Sequence, residues 1–213
     1  YEVVFGDWSS DLCSSDLNEM DSYLDVFFKL KAPLGKFAVL GNHDYSDYKK
    51  WASPAQKLKN SVKIKQNIEK MGFVLLQNQN VALVRNTDSI FLAGVENWGR
   101  PPFLQYGNLE LATKNIPIDG FVVLLSHNPD LWEAQVQEDA RIRLTLSGHT
   151  HGMQMGIREK YLDFSPASFI YPYWGGLYSQ NGQHLYVNVG VGCLGMTARF
   201  GMRPEISLIT LFQ

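Results

Sequence analysis

The chain has 213 residues, is 45% apolar and 19% charged, and carries a formal net charge of −2. That length suits one large domain or two small ones, with enough chain to bury a substantial core, and the charge offers no overall basic field to a nucleic acid. No run of eighteen apolar residues predicts a membrane-spanning helix, and two cysteines far apart in sequence, Cys13 and Cys193, form no disulfide framework and fit a reducing compartment.

Residues 1–5 read as a strand. The polar segment 6–22 follows, in which Ser-Ser-Asp-Leu occurs at 9–12 and again at 14–17. Residues 23–31 place Leu24, Phe27, Phe28 and Lys31 at helical spacing, with a stop near Pro33-Leu34-Gly35. A strand at 37–40 precedes a helix over 55–71, whose apolar face is expected to hold Leu58, Val62, Ile68 and Met71. A solvated polar face accounts for that helix's lysines. From 73 to 97, three apolar runs are broken by turn residues at 78–80 and 86–88, which predict hairpins. Strands follow at 121–125, 142–146, 185–189 and 206–212, with a helix around 130–139 and a long aromatic loop at 161–181. Helices early and strands late predict two packed sheets with outer helices.

Four of the five histidines share a setting. His43 follows 38-AVLGN-42, His127 follows 121-FVVLLS-126, and His149 and His151 follow 142-IRLTLSG-148. Each lies just past the carboxyl end of an apolar strand, the edge at which open α/β sheets bind ligands. Nitrogen from His127, His149 and His151, with oxygen from Asn42 and Asp7, is a mixed set that suits Mn, Fe, Zn or Co. The donors outnumber the needs of one tetrahedral ion, so two divalent ions are expected, with Asp7 the candidate bridge. His149 and His151 are two apart, which an extended backbone sends to opposite sides. Either a turn at Gly148 or Gly152 lets both approach one ion, or they serve two. His43, next to Asn42, is free to face a substrate and to stabilise charge or protonate a leaving oxygen.

The order 6-GD-7, 41-GNHD-44, 126-SH-127 and 148-GHTH-151 resembles the calcineurin-like metallophosphoesterase superfamily across nearly the whole chain. The resemblance implies a four-layer α/β/β/α sandwich of two mixed sheets flanked by helices. It implies that Asp7 bridges two ions, that Asn42, His127 and His149 complete one of them, that His151 serves its neighbour, and that His43 is the catalytic histidine. The family's Asp-x-His segment has no counterpart here, so 1–213 reads as a single domain that lacks its first strand and first metal motif. The family's Gly-Asp-x-x-Asp becomes a segment with Ser10 at the last position and Asp11 one residue late. Within the family, 148-GHTHGMQ-154, 188-NVGVGCLG-195 and 203-RPEISLITL-211 resemble a bacterial, membrane-proximal, phosphodiesterase-like subgroup, which more often has glycine where Met153 stands.

The function expected is hydrolysis of a phosphodiester or phosphomonoester, lipid-linked or nucleotide-sugar-linked in some relatives, by a protein in the cytoplasm or peripheral to the cytoplasmic membrane. The aromatic stretch 169-FIYPYWGGLY-178, with Trp98 and Phe103, is expected to line an apolar pocket or to pack in the core. The rival reading is a binding or scaffold protein that keeps the fold without turnover. A nuclease is disfavoured by the lack of a basic and aromatic groove pattern.

Overall fold

The computed structural model describes residues 2–5, 17–101, 103–159, 162–193, 195–196 and 198–212. The chain forms β1 (Glu2–Phe5), α1 (Leu17–Lys29), β2 (Lys36–Ala38), α2 (Pro54–Lys70), β3 (Phe73–Leu75), β4 (Gln79–Arg85) and β5 (Asp88–Gly94). There follow α3 (Leu109–Ala112), β6 (Val122–Leu125), α4 (Asp130–Ala134), β7 (Ile142–Ser147), β8 (Ile157–Glu159) and β9 (Leu162–Phe164). The last strands are β10 (Gly176–Gln180), β11 (Gln183–Val187) and β12 (Ser207–Thr210).

The central sheet has six strands in the order β10-β11-β7-β6-β5-β4. Strands β11, β7, β6 and β5 are mutually parallel, and each edge is closed by an antiparallel strand. A second layer is made by two strand pairs, parallel β2-β3 and antiparallel β1-β12.

Alternation along the strands sorts side chains into layers. Val123, Leu125, Leu144 and Leu146 point to one face of the central sheet and pack with Phe37, Val39, Ile209 and Leu211 of the second layer. Val122, Leu124, Leu185 and Val187 point the other way, onto Leu109, Leu131, Trp132 and Val136. On the far side of β2-β3, Ala38, Phe73 and Leu75 meet Met20, Phe27, Ile64 and Ile68 of α1 and α2. Reading outward, the order is helix, sheet, sheet, helix, as the sequence pattern and the family resemblance both led one to expect.

Several local expectations are corrected. The first helix runs Leu17–Lys29 and buries Met20 and Phe27, whereas Phe28 is exposed, with the Lys31 ammonium 5.4 Å from its ring centroid. Helix α2 starts at a Ser53 cap, whose Oγ accepts from Gln56 N, with Pro54 in the first turn where its missing N–H costs nothing. Its inner stripe is Asn60, Ile64, Asn67, Ile68, then Met71, while Leu58 and Val62 face solvent. An apolar-only count misplaces the stripe because two of its members are asparagines, held by Ser46 and Asp21. Residues 78–80 are not a hairpin turn: β3 pairs in the second layer and β4 in the central sheet, so the positive φ of Asn78 carries the chain from one sheet to the other. The β4-β5 hairpin is real, closing at Arg85 opposite Asp88. The helix expected over 130–139 stops at Ala134, where Gln135 leaves helical angles, and resumes as a short 3-10 turn at Val136–Glu138.

Candidate metal centre

The parallel strands β5, β6, β7 and β11 deliver their carboxyl ends to one edge. His127 follows β6 by two residues and His149 follows β7 by two. Asn42 and His43 begin a 3-10 turn, Asn42–Tyr45, beyond β2. Asp44 builds that turn: its buried carboxylate Oδ2 accepts from Gly41 N at 2.7 Å. Gly41 is there for space, because any Cβ would strike the His127 ring.

Two donor atoms lie close to a third. His127 Nε2 lies 2.9 Å from Asn42 Oδ1 and 3.1 Å from His149 Nδ1. One proton on His127 Nε2 serves at most one of these contacts well, so three lone pairs share too few hydrogens. A cation resolves that conflict. Donor atoms set cis about an ion with bonds of about 2.1 Å stand about 3.0 Å apart, so the spacing fits a divalent metal. The outer ends are held as well. Asn42 Nδ2 donates to Tyr48 Oη at 2.8 Å, and Tyr171 Oη lies 3.3 Å from His149 Nε2. Such outer partners fix the tautomer and orientation of a ligating imidazole.

His43 does not join the trio. Its ring stacks on Tyr48, with centroids 4.4 Å apart and planes 23° apart. His151 is buried one turn beyond His149. Among the described residues no three of His, Cys, Asp and Glu, His127, His149 and His151 included, form a group that could hold a metal ion. Asp7 lies outside the described residues, as do Ser10 and Asp11. The fifth histidine, His184, is exposed and bonded to Ser179 at 2.8 Å.

The loop that carries His149 and His151 is left-handed. φ is 72° at His149 and 50°, 53°, 49° and 57° at His151, Gly152, Met153 and Gln154. It is anchored from within. Thr150 Oγ1 donates to Trp174 O at 2.6 Å, Ser165 Oγ donates to Gly152 O at 2.6 Å, and Met202 fills the space beside Gly152.

Tyr48 and Tyr171 carried no motif signal, though Tyr171 falls within the quoted aromatic stretch. Those rings divide rather than line one pocket. Tyr171 meets His149, Tyr173 packs on Trp132, Trp174 is buried, and Phe103 and Phe169 face solvent. Burial of the Tyr171 phenol, then the nearby Asp130 carboxylate, push its ionisation above the ordinary tyrosine value, and Arg100 opposes them. Arg100 itself donates to the buried Asp130 at 2.7 Å.

A family model described as calcineurin-like phosphoesterase matches residues 2–153. The chain is 28% identical over 215 residues to a transmembrane protein with metallophosphoesterase domain from Danio rerio, covering 95% of this chain and 44% of that protein. It is 30% identical over 187 residues to the metallophosphoesterase YkuE of Bacillus subtilis (strain 168), with 86% and 58% covered. It is 28% identical over 203 residues to the phosphodiesterase YaeI of Escherichia coli (strain K12), with 92% and 66% covered. The chain therefore spans about half the length of the curated relatives it matches. With a matched segment that includes β1 through the His149 loop, and a fold of the same class, the chain belongs to the calcineurin-like phosphoesterase family.

Proposed function

We propose that the protein is a metal-dependent phosphoric ester hydrolase that uses two divalent ions to cleave a phosphodiester or phosphomonoester. The observation that carries this reading is that Asn42 Oδ1 and His149 Nδ1 both lie within 3.1 Å of His127 Nε2 at one sheet edge. In this reading those three atoms would hold one ion, His151 would serve the second, and Asp7 would be shared by both. Nitrogen and oxygen donors without sulfur suit Mn, Fe, Zn or Co. Divalent ions bound there supply Lewis-acid stabilisation of phosphoryl oxygens and a water acidic enough to attack near neutral pH.

The chain's own groups orient and move protons. Tyr171 holds Nε2 of His149 and so keeps Nδ1 turned inward. His43, set beside Asn42 on the same turn, protonates the leaving oxygen or stabilises charge on the phosphoryl group. The substrate class favoured is a lipid-linked or nucleotide-sugar phosphate ester. The phosphodiesterase name of the Escherichia coli relative supports a phosphodiester and the Danio rerio relative's name a membrane setting, while the lipid or nucleotide-sugar linkage rests on the family resemblance. Among the described residues no helix is long and apolar enough to cross a membrane, which is compatible with peripheral attachment at the cytoplasmic face.

The test is metal content of the purified protein together with hydrolysis of bis(p-nitrophenyl) phosphate in added Mn²⁺. The expected result is about two ions per chain and turnover that falls by about 10²-fold or more in His43→Ala with metal retained. Metal bound without turnover would favour a binding protein on a phosphoesterase fold. No bound metal would overturn the reading.

A further inference from the structure

Asn42 and His43 are consecutive, and their side chains diverge from the turn, yet both end on the same residue. The Tyr48 hydroxyl accepts from Asn42 Nδ2 at 2.8 Å, and the Tyr48 ring lies against the His43 imidazole at 4.4 Å. We propose that Tyr48 is a positioning residue for both halves of the site, its hydroxyl setting the Asn42 amide and its ring setting His43. The inference rests on the reading of Asn42 as a ligand and His43 as the proton donor.

The geometry separates the two tasks. An asparagine amide has two ends of nearly equal shape, and its partners decide which faces where. With Nδ2 donating to Tyr48, Oδ1 is the end that faces His127 Nε2. A side-chain amide turned the other way would present N–H groups to a cation. The stack acts on a different group: it restricts rotation of the His43 ring. Offset aromatic stacking is worth about 0.5–1.5 kcal/mol in general, enough to select one orientation of a half-buried ring. Tyr48 itself is 53% exposed, so it contributes little to the core, and fold stability does not explain why it meets both neighbours.

The two tasks predict different losses for two variants. Tyr48→Phe keeps the stack and removes the hydroxyl, while Tyr48→Leu removes both. By calorimetry, Mn²⁺ affinity should fall about tenfold in each variant, the usual scale for losing an outer partner of a metal ligand. At saturating Mn²⁺, kcat for bis(p-nitrophenyl) phosphate should be about tenfold lower in Tyr48→Leu than in Tyr48→Phe, because only the former removes the stack on His43. The melting temperature should barely move in either. Unchanged Mn²⁺ affinity in both variants, or equal kcat in the two, overturns the proposal, as does a lowered melting temperature with affinity intact. If the unmodified protein binds no Mn²⁺, the reading of Asn42 as a ligand fails, and Tyr48's role fails with it. Normal binding with indifferent variants sinks Tyr48's role alone.

Discussion

A Cβ on Gly41 would fall 2.8 Å from Cε1 of His127 and 2.9 Å from each of its ring nitrogens. The φ of Gly41 is −93°, which any residue adopts, so the demand is for room. Gly41→Ala should therefore push the imidazole off its position. Overpacking of this kind costs about 1–3 kcal/mol in stability, and a displacement near 1 Å can cost about 10²-fold in rate. Thermal melting and Mn²⁺ titration of the variant check this, and an intact affinity would contradict it.

Asp44 acts one step further out. Its carboxylate accepts the Gly41 N–H that the turn leaves over. Asp44→Ala strands that buried donor, with an expected loss of about 1–3 kcal/mol in urea unfolding. Asp44→Asn keeps an acceptor in place and should lose less. Equal losses would mean that the charge, not the hydrogen bond, holds the turn.

Gln183 supports the fold at a distance from the site. Its buried Nε2 reaches Val136 O, Asp139 O and Ile142 O at 3.1, 2.8 and 3.0 Å, tying the α4–β7 connection to β11. Gln183→Leu is close in volume but removes this shared donor, while Val136 O and Asp139 O keep the backbone N–H groups of Asp139 and Ile142. The predicted destabilisation is about 0.5–1.5 kcal/mol, measured by denaturant unfolding, with metal affinity unchanged.

The Asp139–Arg141 pair sets an acid limit. Arg141 donates to both carboxylate oxygens, at 2.9 Å and 2.6 Å, and these bonds hold the Asp139 carboxyl below its ordinary value against the opposing effect of burial. A depressed carboxyl stabilises the fold above its unfolded-state pKa, and that contribution is lost as pH falls through the folded value. The gap in urea midpoint between the protein and Arg141→Gln should be largest near neutral pH and shrink once pH drops below about 4. A gap that stays constant to low pH would assign the loss to the Arg141 bond with Ile116 O instead.

The layers were legible because alternation survives in the buried strands: Val122 to Leu125 divide two and two between the faces. The α2 stripe was not, since Asn60 and Asn67 are polar by type and buried only through partners far away in sequence. Asn78 looked like a hairpin residue because a left-handed φ marks a sheet crossover as readily as a turn. At the site, strand ends alone put His127, His149 and His151 in one donor set with Asn42, and the family resemblance singled out Asn42, His127 and His149. Their separation from His151 was not legible, as it depends on five left-handed residues, four of them not glycine. The backbone at Met153, φ 49°, is one that glycine adopts without cost. Tyr48 and Tyr171 were invisible because nothing in a sequence reports which ring will close a distant amide or imidazole.

The left-handed run behind His149 has a consequence for motion. Each L-residue held there stores about 1–2 kcal/mol, and the anchors at Thr150, Ser165 and Met202 keep it wound. Letting the loop go returns that stored free energy, so it can open privately, well below the cost of unfolding the sheet. A ligand clasping His149 to Asn42 acts as a latch on that opening. Its binding should then be readable as slower amide exchange at 152–155, in residues assigned no contact with it.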